Sequence, residues 1–300
     1  MTAPVAAGAT PGVARAALTQ VLAQAGVPSP AADARWLLEH VLGKQVALAT
    51  APLTADEARE LCALASRRVE REPLQHILGQ MAFRHLTLLC APGTFVARPE
   101  TELVAQAAID AARAAGKAPV VVDLCTGSGA IALAVATEVP GSRVWALEFG
   151  QAPLELAGRN IAALAPQVRL IEGDVRQPIA GGELAELAGS VDVVVSNPPY
   201  VPPAAVPTDP EVSRFDPALA LYGQGADGLG HVAAVLERAR ELLRPGGRVF
   251  IEHAEVQGPA VVTMAAKRGF LAATTMQDLS GRPRYLAATW PGEESQNGDS

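Results

Sequence analysis

Val120-Val121-Val122-Asp123-Leu124-Cys125-Thr126-Gly127-Ser128-Gly129 decides the fold. A β-branched run ends in a glycine-rich turn, and a helical stretch, Ala130 to Thr137, follows. Continuous Val runs suit strands buried on both faces of a parallel sheet. Glycines in the turn let a ligand reach the backbone and let the helix pack close to the strand. The same alternation continues outward. Arg143 to Leu147 reads as a strand and Pro153 to Leu164 as a helix. Val168 to Ile171, Val191 to Val195 and Arg248 to Ile251 read as further strands, the last after the turn Pro245-Gly246-Gly247. From Pro119 onward the pattern predicts a doubly wound α/β domain with a mostly parallel sheet.

Upstream the pattern is helical. Val13 to Ala25 is rich in Ala, Leu and Val. Ser29-Pro30 reads as an N-cap followed by proline at the first helical position. The helix it opens carries Trp36, Leu37, Leu38, Val41 and Leu42 and stops near Gly43. Thr54-Ala55-Asp56-Glu57 matches a capping box. That third helix is expected to bury Leu61, Leu64 and Ala65 and to end before Pro73. Phe83 to Val96, with turn formers Pro92-Gly93, reads as a hairpin. The expected organisation is a helical domain over 1–80, a hairpin linker over 81–97, an α/β domain over 98–290 and a disordered polar tail over 291–300.

Hydrophobic residues make up 49% of the 300, enough for a sizeable core, and the formal net charge is −7. That charge argues against broad binding to duplex nucleic acid, which needs Lys and Arg to neutralise phosphates. Arg67, Arg68 and Arg71 read as a solvated helix face. The three cysteines, Cys62, Cys90 and Cys125, lie far apart and show neither metal spacing nor a disulfide framework. No signal-peptide pattern and no apolar run long enough for a bilayer is present. These readings predict a soluble cytoplasmic protein.

Gly127, Gly129 and Ala132 satisfy the pattern G-x-G-x-x-A, and Glu148 ends the next strand. A carboxylate there can accept hydrogen bonds from two ribose hydroxyls. The geometry serves NAD and S-adenosylmethionine alike. Asp123 tilts the choice, because a carboxylate at the loop repels a pyrophosphate and attracts the ammonium of a methionyl group. Asp174, after the following strand, sits where an adenine amino group could be read. The plainer reading is that these acids only cap helices and turns.

Val191 to Val195 runs into Ser196-Asn197-Pro198-Pro199-Tyr200. Two prolines stop the strand and remove N–H donors. Acceptors remain: the Asn197 side-chain oxygen and the Pro198 carbonyl. An NH2 group offers two hydrogens to such a pair. Holding both aims the nitrogen's lone-pair face at a methyl donor, and Tyr200 can stack on a planar amide or base. A rigid turn without chemistry is the plainer reading. The position at a strand C-terminus, where ligands collect in parallel sheets, favours the functional one.

The chain resembles the peptide chain release factor N5-glutamine methyltransferases (PrmC/HemK) over roughly Leu18 to Tyr285. The specific segments are Arg71 to Gly79, Arg98-Pro99-Glu100-Thr101-Glu102, Asp123 to Gly129 and Asn197 to Tyr200. Phe215-Asp216-Pro217, Asp227-Gly228-Leu229 and Asp278-Leu279-Ser280-Gly281 agree as well. The resemblance implies a helical N-terminal domain that docks the release factor, a hairpin linker and a class I Rossmann-like methyltransferase domain. It implies S-adenosylmethionine as methyl donor and the glutamine of the Gly-Gly-Gln motif in class I release factors as substrate. Carried over, Cys125, Thr126, Gly127, Ser128, Gly129 and Glu148 contact the cofactor. Val175 lines the adenine pocket, Arg98, Glu100 and Thr101 cover the cofactor, and Asn197, Pro198, Pro199 and Tyr200 hold the glutamine. Three positions depart from the family's habit: Cys125 and Ala254 stand where Gly is usual, and Glu148 where Asp is usual.

An amide nitrogen is a poor nucleophile because its lone pair is delocalised. No Cys, His or Lys is placed to activate it covalently, and His76, His85 and His253 read as structural. The protein must therefore supply position. Two other readings share the motifs. One is a methyltransferase for the exocyclic amine of adenine in nucleic acid, which needs the same acceptors and stacking ring. The other is a cofactor-sensing protein without catalysis.

Overall fold

The computed structural model describes Val5 to Gly292. Met1 to Pro4 and residues 293–300, which include most of the expected tail, lie outside the described residues. The chain begins α1 (Pro11–Gln24), α2 (Pro30–Leu42), α3 (Ala55–Val69), α4 (Leu74–Leu78), β1 (Gln80–Phe83) and β2 (Leu86–Leu89). Then come α5 (Thr101–Ala115), β3 (Val120–Leu124), α6 (Ala130–Glu138), β4 (Arg143–Glu148), α7 (Gln151–Leu164), β5 (Arg169–Glu172) and β6 (Val191–Ser196). Last are α8 (Pro210–Phe215), α9 (Ala218–Leu221), α10 (Gly230–Leu242), β7 (Leu243–Glu252), α11 (Gly258–Lys267), β8 (Leu271–Gln277) and β9 (Pro283–Thr289).

Two compact units share these elements. The first holds residues 1–81, 90–92 and 207–215, and the second holds 82–89, 93–206 and 216–300. In the first unit, local signals set the helix ends. The Thr54 hydroxyl accepts from the Glu57 N–H at 3.2 Å and the Glu57 carboxylate accepts from the Thr54 N–H at 2.7 Å. Pro30 opens α2, although Ser29 makes no side-chain cap, and Gly43 ends it in the left-handed region at φ 63°. Leu18, Leu22, Leu37, Leu38, Leu61 and Ile77 form the apolar centre. Leu64 is only partly buried against it.

The Arg67, Arg68 and Arg71 face is not the solvated face expected. Arg68 is 5% exposed. It donates to Asp33 at 2.7 Å, to Glu211 at 2.8 Å and to the Glu72 carbonyl at 3.1 Å. Arg71 donates through Nε to the same Glu211 at 2.7 Å, and Arg67 pairs with Glu72. Glu211 lies on α8, so a short helix distant in sequence completes this unit. Burying guanidiniums is tolerated because each finds a carboxylate.

The second unit is built on a seven-stranded sheet of order β5-β4-β3-β6-β7-β9-β8. β5, β4, β3, β6 and β7 run parallel, and β9 is antiparallel to both its neighbours. β3 and β6 lie side by side at the point where strand order reverses. In such sheets that switch point opens a crevice beyond the strand C-termini. β3 is buried at all five residues, as the Val run predicts. Among the described residues no helix is long and apolar enough to cross a membrane.

Candidate active site

One cavity in the second unit collects most of the sequence-predicted residues. Cys125, Thr126, Gly127 and Ser128 line it from the loop after β3. Glu148, Asp174 and Val175 come from the ends of β4 and β5, and Asn197, Pro199 and Tyr200 from the end of β6. Thr101 joins from the first turn of α5. Asp123, Gly129, Pro198, Arg98 and Glu100 do not line it.

Asp123 lies beneath the loop rather than facing the cavity, and it is fully buried. Its Oδ2 accepts from the Thr126 hydroxyl at 2.6 Å and from the Ala132 N–H at 3.1 Å. Oδ1 is buried without a partner. Burial pushes the carboxyl up to about 7, against those two hydrogen bonds. The group therefore braces the loop from inside. Arg98 is held by Asp216, and Glu100 lies 3.6 Å from Arg284.

Glu148 gathers the loop from the neighbouring strand. Its Oε2 accepts from the Gly127 N–H at 2.8 Å, and its Oε1 from the N–H groups of Phe149 and Gly150 at 2.9 and 2.8 Å. Burial raises its pKa while the three N–H groups oppose. Two N–H groups fill Oε1, so Oε2 keeps the one further lone pair. Asp174 is engaged by the Arg176 guanidinium, which holds its carboxyl below the usual range.

The turn after β6 is fixed from several sides. The Ser196 hydroxyl donates to the Leu124 carbonyl and ties β6 to β3. Buried Gln257 donates both amide hydrogens, to the carbonyls of Tyr200 and Asp227 at 2.8 Å each, and its oxygen accepts from the Ala254 N–H. A Cβ at Gly223 would stand 1.8 Å from the Gly228 carbonyl oxygen, so glycine is required for that approach. Asn197 donates through Nδ2 to the Thr101 hydroxyl at 3.2 Å. The Tyr200 hydroxyl donates to Glu252 at 3.2 Å. Burial raises the Tyr200 pKa, so the ring keeps its proton. Burial likewise pushes the Cys125 thiol up, which removes it as a thiolate nucleophile.

Phe149, Arg176 and His231 also line the cavity, and sequence reasoning missed them. Phe149 directly follows Glu148 and carries Arg176 over its ring at 5.6 Å. His231 opens α10, its Nδ1 is buried without a partner, and burial followed by Arg176 lowers its pKa. Position after an identified strand end could have flagged Phe149. Nothing local flags His231.

A family profile described as "PrmC N-terminal domain" matches residues 14–79, and one described as "Methyltransferase small domain" matches 87–211. A release factor glutamine methyltransferase of Streptomyces coelicolor is 46% identical over 274 residues, covering 90% of this chain and 94% of that protein. One of Bifidobacterium longum is 43% identical over 279 residues, covering 89% and 95%. The chain belongs to the release factor glutamine methyltransferase family. Among solved structures, a Thermus thermophilus 16S rRNA N2 G1207 methyltransferase, bound to AdoMet and guanosine, is similar in fold. Its TM-score is 0.50 at 22% identity, over 70% of this chain and 49% of that one.

Cys125, Glu148 and Ala254 of this release factor glutamine methyltransferase family member each have a defined local setting. Cys125 has φ 62°, the conformation that a glycine there serves without strain. Glu148 accepts from three backbone N–H groups. Ala254 has φ −67° and ψ 149°, which any residue adopts, so glycine is not needed there.

Proposed function

We propose that the protein transfers the methyl group of S-adenosylmethionine to the side-chain amide nitrogen of the glutamine in the Gly-Gly-Gln motif of class I peptide chain release factors. The observation that carries this is the sharing of one cavity by the glycine loop, Glu148 and the acceptor-rich Asn197–Tyr200 turn. The loop from Cys125 to Gly129 would hold the methionyl end, Glu148 would meet the ribose hydroxyls, and Val175 with Asp174 would meet the adenine. When bound, the sulfonium supplies an activated methyl group and its own leaving group. The Asn197 side-chain oxygen and the Pro198 carbonyl hold the two hydrogens of the substrate amide. That grip sets the nitrogen plane, and it stabilises positive charge growing on the NH2 group as the new bond forms. Tyr200 packs against the planar amide.

Selection of the protein substrate falls to a more remote surface, because any planar NH2 group satisfies the turn. The helices of the first unit are that surface, raising effective concentration at the cavity without altering the chemistry. The enzyme thus acts in the cytoplasm, on release factor. The test is incubation with labelled S-adenosylmethionine, purified release factor and, separately, nucleic acid. Label on the release factor supports the reading. Label on adenine alone, or none, refutes it.

A further inference from the structure

Helix α7 carries Pro153, Ala157 and Asn160 at i, i+4 and i+7, on one face. Pro153 lines the cavity, and a Cβ at Gly129 would stand 3.8 Å from that of Ala157, so this face backs the glycine loop. Asn160 is the polar member of the three and is 1% exposed. Its side-chain nitrogen donates to the Ser128 carbonyl at 3.0 Å and to the Leu89 carbonyl at 3.3 Å. Its oxygen accepts from the Leu89 N–H at 2.8 Å. Both amide hydrogens are thus used, and only one orientation of the amide satisfies the three backbone groups. Leu89 ends β2, and the chain beyond it reaches the cavity at Gly93, Thr94, Phe95 and Ala97. Ser128 lines the same cavity. One buried amide therefore joins the glycine loop to the strand that leads into a second stretch of the lining, without lining the cavity itself.

We propose that Asn160 is a positioning residue for the cofactor: it holds the glycine loop in its binding conformation and keeps that loop in register with the segment that follows β2. The proposal rests on the S-adenosylmethionine reading of this cavity and adds to it a group that sets the cavity's shape. The peptide between Ser128 and Gly129 is held at both ends. Asn160 takes its carbonyl, and its N–H donates to the Thr126 carbonyl at 3.0 Å. A peptide unit is planar, so fixing both ends fixes its tilt. Asp123 and Glu148 brace the loop at Thr126 and Gly127, and Asn160 braces it at Ser128. Of these three side chains, Asn160 is the one that also bonds to β2.

A loop already held in place does not have to be ordered when a ligand binds, so affinity rises. The link also runs the other way, because coupling between two sites is reciprocal. A ligand resting on the loop restrains Ser128 and, through Asn160, restrains Leu89. A brace that served the fold alone would raise the melting temperature. It would leave the affinity of the folded protein unchanged and would not tie Leu89 to the ligand. Alanine at position 160 leaves two carbonyls and one N–H without this partner, in a buried site where lost hydrogen bonds are costly.

The experiment compares wild type, Asn160→Ala and Val261→Ala. Val261 is fully buried on α11 and does not line the cavity, so its truncation lowers stability without touching the loop. Affinity for S-adenosylhomocysteine, the demethylated product, is measured by calorimetry and folding by thermal melting. Amide hydrogen exchange at Leu89 is followed with and without that ligand. Both variants are expected to melt lower than wild type. Asn160→Ala should weaken binding by roughly tenfold, the scale set by a loop that must be ordered on binding. Val261→Ala should bind as wild type does. Saturating ligand should slow exchange at Leu89 in wild type and leave it unaltered in Asn160→Ala. If Asn160→Ala does not fold, exchange at Leu89 in wild type decides alone. Wild-type affinity in folded Asn160→Ala, equal weakening in both variants, or exchange at Leu89 in wild type that ignores the ligand overturns the proposal. Wild type that binds no S-adenosylhomocysteine overturns the underlying reading instead, so the two failures are distinguishable.

Discussion

Glu211, in the helical unit, meets the guanidiniums of Arg68 and Arg71, whereas Asp123 and Glu252, in the α/β unit, meet hydroxyls and a backbone N–H and form no ion pair among the described residues. Burial acts on all three. For Glu211 the hydrogen bonds of Arg71, Asp209 and Arg68 overcome it and leave the carboxyl at about 2. For Asp123 and Glu252 burial wins, and both stand at about 7. A paired buried charge holds helices together. An unpaired one costs stability, and such groups cluster where chemistry is done. Both unpaired carboxylates lie directly behind residues that line the cavity, Thr126 in one case and Tyr200 in the other.

If that contrast is right, substitutions in the two regions fail in different currencies. The largest effect is expected at the cavity itself. Asn197→Ala should slow methyl transfer by on the order of a hundredfold, because position is lost, while cofactor affinity and melting temperature barely move. A variant that transfers at the wild-type rate breaks the role given to Asn197.

Next comes the paired side. Glu211→Ala leaves Arg68 and Arg71 without their shared carboxylate and should cost about 3 kcal/mol of stability, as for one removed partner of a buried ion pair. Chemical denaturation measures it. The pH dependence has a definite sign. A carboxyl held low in the folded state contributes stability above its unfolded value and loses it as pH falls, here between about 4.5 and 2. Wild type should show this acid limb and Glu211→Ala should not. An unchanged acid limb would place the pairing outside the folding equilibrium.

The unpaired side has the opposite sign. A carboxyl raised in the folded state contributes stability below its unfolded value, and loses it as pH rises through the folded one, here between about 4 and 7 for Asp123. Asp123→Asn should flatten that decline in melting temperature. A steeper decline in the variant would contradict the assignment. The smallest effect concerns backbone strain. Cys125→Gly relieves a left-handed φ but loses a partly buried side chain, so a net gain below about 1 kcal/mol is expected. Destabilisation beyond that amount would show that the thiol's packing outweighs the strain.

What the sequence made legible follows the range of each signal. Strand runs and caps are local, so β3, β4 and β6 and the Thr54 capping box could be located to within a residue or two. Four residue positions on successive strand ends foretold one cavity, because a parallel sheet delivers them to the same side. The pairing of Arg68 with Glu211 joins residues 143 positions apart, and no periodicity reports it. The same limit hid α8's place in the helical unit. β8 is mostly exposed and lacks an apolar run, so the sheet's far edge left no local mark. Asp123 was legible as important but not as inward-facing, since its bonds to Thr126 and Ala132 form only once the loop folds back over β3. Glu252 read as no more than a strand end, because its partner Tyr200 lies after β6.

The most direct measurement is mass spectrometry of the Gly-Gly-Gln peptide from release factor treated with S-adenosylmethionine and wild-type or Asn197→Ala protein. One added methyl on the glutamine side-chain nitrogen is expected with wild type and nearly none with Asn197→Ala. An unmodified glutamine with wild type, or equal methylation by both proteins, would contradict it.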